Sequence, residues 1–296
     1  MSVFEVSVGV VAYNEEKNIG RLLEGLLAQK TVSCRIREIL VVSDASTDKT
    51  DEIVQGFGDS RVRLVRKPVR GGKASGINVF MKEASCDLLV LSSGDLVVEE
   101  DAIEELVKPF ADGDVAMTGA HPVPLNSPDS VFGFLSHLTW HFHHMHGLES
   151  PTHPKLGEMI AFRKIFGGIY EKTGVDEDEI QGMIVARGLK QVYCPDAIVY
   201  NHGPANLKDY MKQRVRVKSG HRELERRTGY IIPKWSIASK IRWAKPIIGY
   251  SPKKLLWALT GFLLENTILS TAFVQGRLRG INPYMWDSPQ STKFKA

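Results

Sequence analysis

Cysteine is scarce in this chain of 296 residues, with only Cys34, Cys86 and Cys194. The three are far apart and odd in number, and no two have CxxC spacing, so neither a disulfide framework nor a cysteine zinc site is expected. A reducing compartment agrees with this usage. The first eleven residues also lack the basic segment and cleavage pattern of a signal peptide, so we expect a core strand there.

A long uninterrupted apolar run is missing as well. Residues 255–274 approach membrane-spanning length, but Glu265 and Asn266 lie at their middle. A central acidic residue opposes insertion by roughly 2.5–3.5 kcal/mol. Three interpretations stay open for this segment: a buried helix pair, a helix lying in the membrane interface, or a true span. Flanking Lys, Arg and Trp residues favour the interfacial position.

Net charge is small, at +4, but it is unevenly distributed. Residues 208–254 contain fourteen Lys and Arg against three acidic residues, a net of +11, which leaves −7 for the rest. Such a basic segment attracts nucleic acid, phosphorylated substrates or membrane surfaces. No nucleic-acid-binding motif accompanies it, and its cations are mixed with Trp, Ile and Leu. We therefore expect a membrane surface as partner and no nucleic acid.

Hydrophobic periodicity predicts an α/β fold. Over the first 120 residues, predicted strands (6–11, 38–43, 61–66, 87–92, 115–118) alternate with helices (15–28, 46–54, 73–84, 99–110). This order indicates a mostly parallel sheet flanked by helices, with Asn14 capping the first helix. Residues 122–154 are expected to be irregular. A strand at 158–163, a helix at 176–187 ended by Gly188, and two short strands at 191–194 and 197–200 follow.

Polar clusters follow three of the predicted strands, where ligands of such sheets bind. We expect one α/β domain over residues 1–205, made of two halves (1–120 and 121–205). Residues 206–296 are predicted to be a basic, amphipathic helical region that faces a membrane.

Three segments, in order and spacing, resemble the opening of a family-2 glycosyltransferase of GT-A fold. They are residues 11–16 (VAYNEE), 41–50 (VVSDASTDKT) and 72–78 (GKASGIN). The resemblance covers about residues 5–220. It implies that residues 1–205 are one catalytic domain, with a donor half (1–120) and an acceptor half (121–205). It implies transfer of a sugar from a nucleotide-sugar donor, here a UDP- or GDP-sugar, with inversion and with a divalent metal, Mg or Mn.

The residue types in these segments suit a nucleotide sugar. Asp44, at a strand end, is placed to accept a hydrogen bond from the imide N–H of the base. Lys73 follows two glycines at a helix start, where its charge and the helix N-terminus both favour phosphate. The residues expected to contact the donor are Ala12, Tyr13, Asn14, Glu15, Asp44, Ser46, Lys73, Asn78, Gly94 and Asp95.

The metal motif of the resembled family is Asp-x-Asp after an apolar strand. Here the corresponding residues are Ser93, Gly94 and Asp95, so the first carboxylate is missing. The resemblance leaves Asp95 as ligand of a hard cation that bridges the diphosphate. It places His202 as a further metal ligand, with an ordinary surface histidine as the alternative.

An inverting transfer needs a carboxylate that takes the proton of the acceptor hydroxyl. The family places an acidic pair eleven residues before a glycine, and counting back from Gly188 gives Asp176 and Glu177. We expect Glu177 to be the base, with Asp176 next and Asp178 as a further candidate. If the acceptor is itself a phosphate, no strong base is needed, and these acids would orient the acceptor or hold metal.

Residues 213–218 resemble the Gln-Arg-x-Arg-Trp motif of membrane-linked family members, with Val217 in place of Trp. The resemblance places Gln213, Arg214 and Arg216 at the acceptor and donor diphosphate, where Arg matches phosphate with two hydrogen bonds. The loss of Trp speaks against a polysaccharide synthase. Residues 286–293 faintly resemble a gating segment, which would bring Lys293 to the diphosphate; a solvated C-terminus is the alternative.

Five of the nine histidines lie within residues 137–146. No Cys, Asp or Glu nearby completes a zinc site, so we expect an aromatic wall of the acceptor site or an interfacial helix.

These features together predict a membrane-associated glycosyltransferase with a lipid-linked or polyprenyl-phosphate acceptor, held at the cytoplasmic face of the membrane as a peripheral or monotopic protein. Two alternatives remain. One is the same fold with a soluble or protein acceptor, and the other is a nucleotide-sugar-binding protein without catalysis. The sequence carries no signal for the oligomeric state.

Overall fold

The computed structural model describes residues 3–278 together with residues 284 and 285. Within them, eight strands form one mixed sheet in the spatial order β3-β2-β1-β4-β7-β6-β8-β5. The strands are β1 (Phe4–Ala12), β2 (Cys34–Ser43), β3 (Val62–Arg66), β4 (Leu88–Ser93), β5 (Val97–Val98), β6 (Val115–Pro124), β7 (Met159–Arg163) and β8 (Lys190–Asn201).

Helices cover both faces of this sheet and continue beyond it. They are α1 (Ile19–Leu27), α2 (Thr50–Gln55), α3 (Lys73–Glu83), α4 (Ala102–Val107), α5 (Val131–Glu149), α6 (Asp176–Val185), α7 (Leu207–Thr228), α8 (Ile237–Ile248) and α9 (Pro252–Leu278). A 3₁₀ turn at Lys108–Ala111 follows α4. The α/β architecture predicted from the sequence is confirmed.

The first four strands in space, β3 to β4, are all parallel. Their buried Val, Ile and Leu residues face helices on both sides, as in parallel sheets generally. Ala12 pairs with Ser43, and Val11 pairs with Ser93, so the three strands end level with one another. We call this end of the sheet the carboxyl edge.

The other half of the sheet is not purely parallel. Strand β7 lies between β4 and β6 and is antiparallel to both, while β6 and β8 are parallel. The two short strands predicted after residue 190 are one strand, β8, whose pairing with β6 changes register between Gly119 and His121. Local periodicity could not show the antiparallel direction of β7 or the continuity of β8. Both depend on hydrogen bonds to partner strands that are distant in the sequence.

Two sequence predictions about local structure are wrong. The expected irregular segment 122–154 contains the long helix α5, whose N-cap Ser130 accepts a hydrogen bond from the Gly133 amide. Its many His and aromatic residues hide the helical spacing. Asn14 does not cap α1, which begins at Ile19; Asn14 instead has a left-handed backbone, with φ of 55°.

Apolar side chains form separate buried clusters around these elements. One lies between the sheet and α1 and α4, and a second lies between the sheet and α3 and α6. A third joins α5, α7 and α9, with Phe134, Tyr210, Val215 and Ile268 among its members. The C-terminal helices are thus attached to the domain through α5 and α7 and not through the sheet.

Candidate active site

The loops after β1 and β2 are bound to each other at the carboxyl edge. The Oδ1 atom of Asn14 accepts a hydrogen bond of 2.8 Å from the Thr47 amide, and the Asn14 amide donates to Ser46 Oγ over 3.1 Å. The Glu15 amide donates to Thr50 Oγ1 at 2.8 Å. The residues of these two loops that are expected to contact the sugar donor are therefore adjacent. Hydrogen bonds between the loops fix the shape of the carboxyl edge.

Asp44 fixes the turn that precedes α3. It is buried, and its two carboxylate oxygens accept hydrogen bonds from the Gly71 amide at 2.9 Å and the Gly72 amide at 2.8 Å. Lys67 donates to the same side chain. A carboxylate offers about four acceptor positions, so one remains for the N–H of a base.

The glycine turn brings further groups to this edge. Gly72 has φ of 86°, which only glycine adopts without strain, and a Cβ there would lie 3.2 Å from Met285 Cγ. The guanidinium of Arg70 lies 3.7 Å above the centre of the Tyr13 ring. Sequence reasoning missed Arg70, and its position just before the two glycines is the only signal that could have revealed it.

Lys73 connects the two halves of the site. It is the first residue of α3, and its Nζ lies 2.7 Å from Asp176 Oδ2 and 2.7 Å from Glu177 Oε1. Burial opposes the charge of Lys73, but these two carboxylates outweigh burial and raise its pKa. The candidate phosphate-binding lysine and the candidate base are thus in direct contact, although 103 and 104 positions separate them in the sequence.

The acidic residues at the start of α6 have different surroundings. Glu177 is 19% exposed, against 6% for Asp176 and 9% for Asp178. Burial and the charge of Glu177 raise the pKa of Asp176. Burial also acts to raise the pKa of Glu177, but Lys73 outweighs it and the net shift is downward. Glu177 is therefore an anionic carboxylate with partial access to solvent, as a general base requires.

Asp178 belongs to a separate buried network. Its carboxylate accepts from Lys155 Nζ at 2.9 Å and contacts His221 Nε2 at 2.9 Å. Burial acts to raise the pKa of Asp178, but these two partners lower it. Burial, then Lys155, lowers the pKa of His221 to about 4. Asp178 thus connects α6 to α7 through His221, and it takes no part in the contact of Lys73 with Asp176 and Glu177.

Glu158 joins the acidic group, and sequence reasoning missed it. The sequence assigned it to a strand, but β7 begins one residue later and Glu158 has φ of 63°. Burial, then the charges of Asp95 and Glu177, raise its pKa to about 8. Its Oε1 accepts from Asn201 Nδ2 at 3.1 Å. An acidic residue with a left-handed backbone before a strand was its only local signal.

The expected metal ligands Asp95 and His202 interact electrostatically, since Asp95 acts to raise the pKa of His202 while burial lowers it. Over the part of the chain that the structure describes, no three His, Cys, Asp or Glu side chains form a complete metal site. Mg²⁺ sites often use one or two carboxylates and complete their coordination with substrate phosphates and water. Asp95 with His202, close to Glu158, fits such a site.

The two arginines of the 213–216 motif point in different directions. Arg216 donates to the carbonyl of Gly174 at 2.7 Å and lies near the acids; burial lowers its pKa, and Asp176 and Glu177 oppose this. Arg214 donates instead to Glu265 of α9, at 3.0 and 3.1 Å. Half-buried Gln213 lies on the same helix. The structure brings Arg216 to the acidic group and does not bring Arg214 there.

One further candidate, Asn78, is not offered to a ligand in the way the sequence suggested. Both amide atoms of Asn78 bond to the backbone of Ile169, at 2.7 and 2.9 Å, so Asn78 holds the loop before α6. Lys293 lies outside the described residues.

The histidines of α5 bind this helix to its neighbours. Ring nitrogens of His137, His141 and His144 lie 2.8–3.0 Å from Asn126 O, Trp243 O and the Tyr193 hydroxyl. These contacts join α5 to the segment that precedes it, to α8 and to β8.

Comparisons with known proteins found a matching family model, similar sequences and similar structures. The model of the family described as "Glycosyl transferase family 2" matches residues 7–166. The poly-beta-1,6-N-acetyl-D-glucosamine synthase of Staphylococcus aureus (strain COL) is 24% identical over 226 residues, which are 73% of this chain and 54% of that protein. This chain therefore spans about half the length of that curated relative.

Two solved structures share the fold. The mannosyltransferase PcManGT from Pyrobaculum calidifontis, in complex with GDP-Man and Mn²⁺, aligns with a TM-score of 0.57 and 20% identity, over 94% of this chain and 81% of that one. S. aureus TarS 1-349 in complex with UDP-GlcNAc aligns with a TM-score of 0.51 and 16% identity, over 97% and 95%.

Proposed function

Because the chain belongs to glycosyl transferase family 2, we propose that it is an enzyme that transfers a sugar from a nucleoside-diphosphate sugar to a lipid-linked or polyprenyl-phosphate acceptor, with inversion. One observation carries the proposal. Lys73 joins the glycine turn of the donor half to Asp176 and Glu177 of the acceptor half, so a diphosphate and a general base can meet at one place.

The proposed chemistry assigns one task to each charged group. Glu177 takes the proton of the acceptor hydroxyl while that oxygen attacks the anomeric carbon of the donor. Lys73 and Arg216 counter the negative charge that develops on the departing nucleoside diphosphate. A divalent cation held at Asp95 and His202 would neutralise further charge on the diphosphate. A phosphate acceptor would attack as an anion, and Glu177 would then orient it.

The lipid-linked acceptor is supported by the C-terminal helices. Within the described residues, Pro252–Val274 is the single helical segment whose length and composition would allow it to cross a membrane, and only 11% of its apolar 18-residue window is buried. Helix α7 contacts α9 and also carries Arg216 into the site. A lipid-borne acceptor presented beside α9 would therefore be near the acidic group. This arrangement also supports a location at a membrane surface, and we propose the cytoplasmic face.

Two alternatives have measurable consequences. A soluble or protein acceptor requires transfer that proceeds without lipid, and a non-catalytic binding protein requires nucleotide binding without turnover. We would titrate the protein with UDP and with GDP, each with and without Mn²⁺, and then measure release of sugar from the matching donor with and without polyprenyl phosphate.

We expect metal-dependent binding of one of the two nucleotides and sugar transfer that needs the polyprenyl phosphate. Binding without any turnover would favour the non-catalytic alternative, and transfer to a soluble sugar alone would reject the lipid acceptor.

A further inference from the structure

The outer sides of α8 and α9 carry large apolar side chains that no part of the described chain covers. We call them the docking face: Ile237, Ile241, Leu255, Leu256, Leu259, Phe262 and Leu263. Their exposed fractions run from 50% to 68%. Soluble monomers seldom expose a contiguous apolar surface of this kind unless it binds something.

The opposite side of α9 is attached to the protein. Ile268 and Ala272 are fully buried against α5 and α7. A Cβ added at Gly261 would lie only 2.5 Å from Leu135 Cδ2, so the helices are in close contact there. Helix α9 therefore has one side on the domain and one side open.

Glu265 fixes this orientation. It lies in the middle of the apolar helix, and it accepts from Arg214 at 3.0 Å and from Lys218 at 2.9 Å, both on α7. Burial acts to raise the pKa of Glu265, but these two cations outweigh burial and lower it to about 2. A helix held this way could cross a bilayer only if the charged helix α7 entered the hydrocarbon beside it, which is costly.

The positive charge around the docking face indicates which kind of partner binds there. Residues 237–274 contain Lys240, Arg242, Lys245, Lys253 and Lys254, and Glu265 is their only acidic residue. Exposed Tyr250 lies at the turn between the two helices. Cations beside an apolar face match an anionic lipid surface, where lysines meet headgroups and leucines enter the acyl boundary.

We propose that α8 and α9 lie in the plane of an anionic membrane, that the docking face enters one leaflet, and that Glu265 keeps α9 on the protein side and prevents it from spanning. The proposal deepens the proposed function, since it says how the enzyme meets a lipid-linked acceptor. Vesicle binding is measured without any sugar donor, so a failure of docking and a failure of catalysis are seen separately.

The first test is sedimentation with phosphatidylcholine vesicles, with and without phosphatidylserine. We expect binding that requires phosphatidylserine and weakens with salt. The double variant Leu259→Gln/Phe262→Gln should bind at least ~10-fold more weakly. The matched control is Val3→Gln/Val32→Gln, which changes two exposed residues at the far end of the β1–β2 pair and should bind like the wild type.

The second test separates an in-plane helix from a span. The three native cysteines are buried, so Leu263→Cys can be labelled selectively with a fluorophore. In an in-plane helix the label lies ~5–10 Å deep and is quenched best by spin-labelled lipids near the headgroups.

Stronger quenching by lipids labelled near the bilayer centre would overturn the proposal, as would binding that the double variant leaves unchanged. Self-association through the docking face, without vesicle binding, would assign that face to a second copy of the chain and would equally reject membrane docking.

Discussion

The carboxyl edge of the sheet and the docking face of α8 and α9 differ in what they leave uncovered. At the edge, charged side chains that are far apart in sequence neutralise one another in half-buried positions, as Lys73 does with Asp176 and Glu177. On the docking face, apolar side chains are exposed and the single acid turns inward to α7. The first surface is suited to a small, highly charged ligand, and the second to lipid. Changes at one surface should therefore leave the function of the other intact.

The largest expected effect separates the two surfaces most directly. Glu177→Gln removes the proton acceptor but keeps Asp176 beside Lys73, so sugar transfer should fall by ~10²–10⁴-fold while nucleotide affinity and vesicle binding stay close to those of the wild type. Transfer rates and nucleotide titrations measure this. Glu171→Gln, the same change at an exposed position, is the control. Transfer that survives in Glu177→Gln would remove this residue as the base.

A second prediction concerns the buried charges near the edge. Asp178→Asn leaves Lys155 without its carboxylate in a buried position, so the free energy of unfolding should fall by ~3–5 kcal/mol. Asp112→Asn breaks the exposed pair with Lys190 and should change the free energy of unfolding far less, because solvent screens exposed pairs. Urea unfolding of both variants tests the difference. Equal losses of unfolding free energy in the two variants would show that the Asp178 network is not desolvated.

Asp95→Asn should have a smaller effect, confined to metal-dependent binding. Because it removes a carboxylate from the proposed cation site, we expect Mn²⁺ to be bound ~10–100-fold more weakly in the presence of UDP or GDP. Nucleotide titration over a range of Mn²⁺ concentrations measures the change. If the variant keeps the metal dependence of the wild type, the cation is held elsewhere.

The smallest effect is on pH dependence. The pKa of His221 is about 4 in the folded chain, below the ordinary 6.5, so acidification through this range protonates the unfolded chain first and lowers stability. In His221→Gln this contribution is lost, and the free energy of unfolding should fall less steeply between pH 6.5 and pH 4. His144, whose pKa is lowered by burial to a similar value, is present in both proteins and cancels in the comparison. If the free energy of unfolding depends on pH in the same way in the wild type and in His221→Gln, the lowered pKa of His221 is contradicted.

Much of the carboxyl edge could be predicted, because strand periodicity and the position of polar residues after each strand are local properties. Glu158 was missed because its importance comes from Asp95 and Glu177, which are distant in sequence. Arg214 and Arg216 illustrate a different limit. Residues two apart on a helix project to different sides, and only the folded structure shows that Arg216 reaches the acidic group while Arg214 pairs with Glu265. The antiparallel position of β7 was equally hidden, because only its partner strands define it.

Helix α7 contacts the C-terminal helices through Arg214 and Lys218, and the acidic group through Arg216, within two turns of one another. At 1.5 Å per residue its 22 residues form a rod of ~33 Å, with no hinge between these contacts. With α8 and α9 lying in a membrane as proposed, this rod would set a constant height of the acidic group above the lipid. The proposed enzyme would then select its acceptors by length, because only a reactive group carried to that height would reach Glu177.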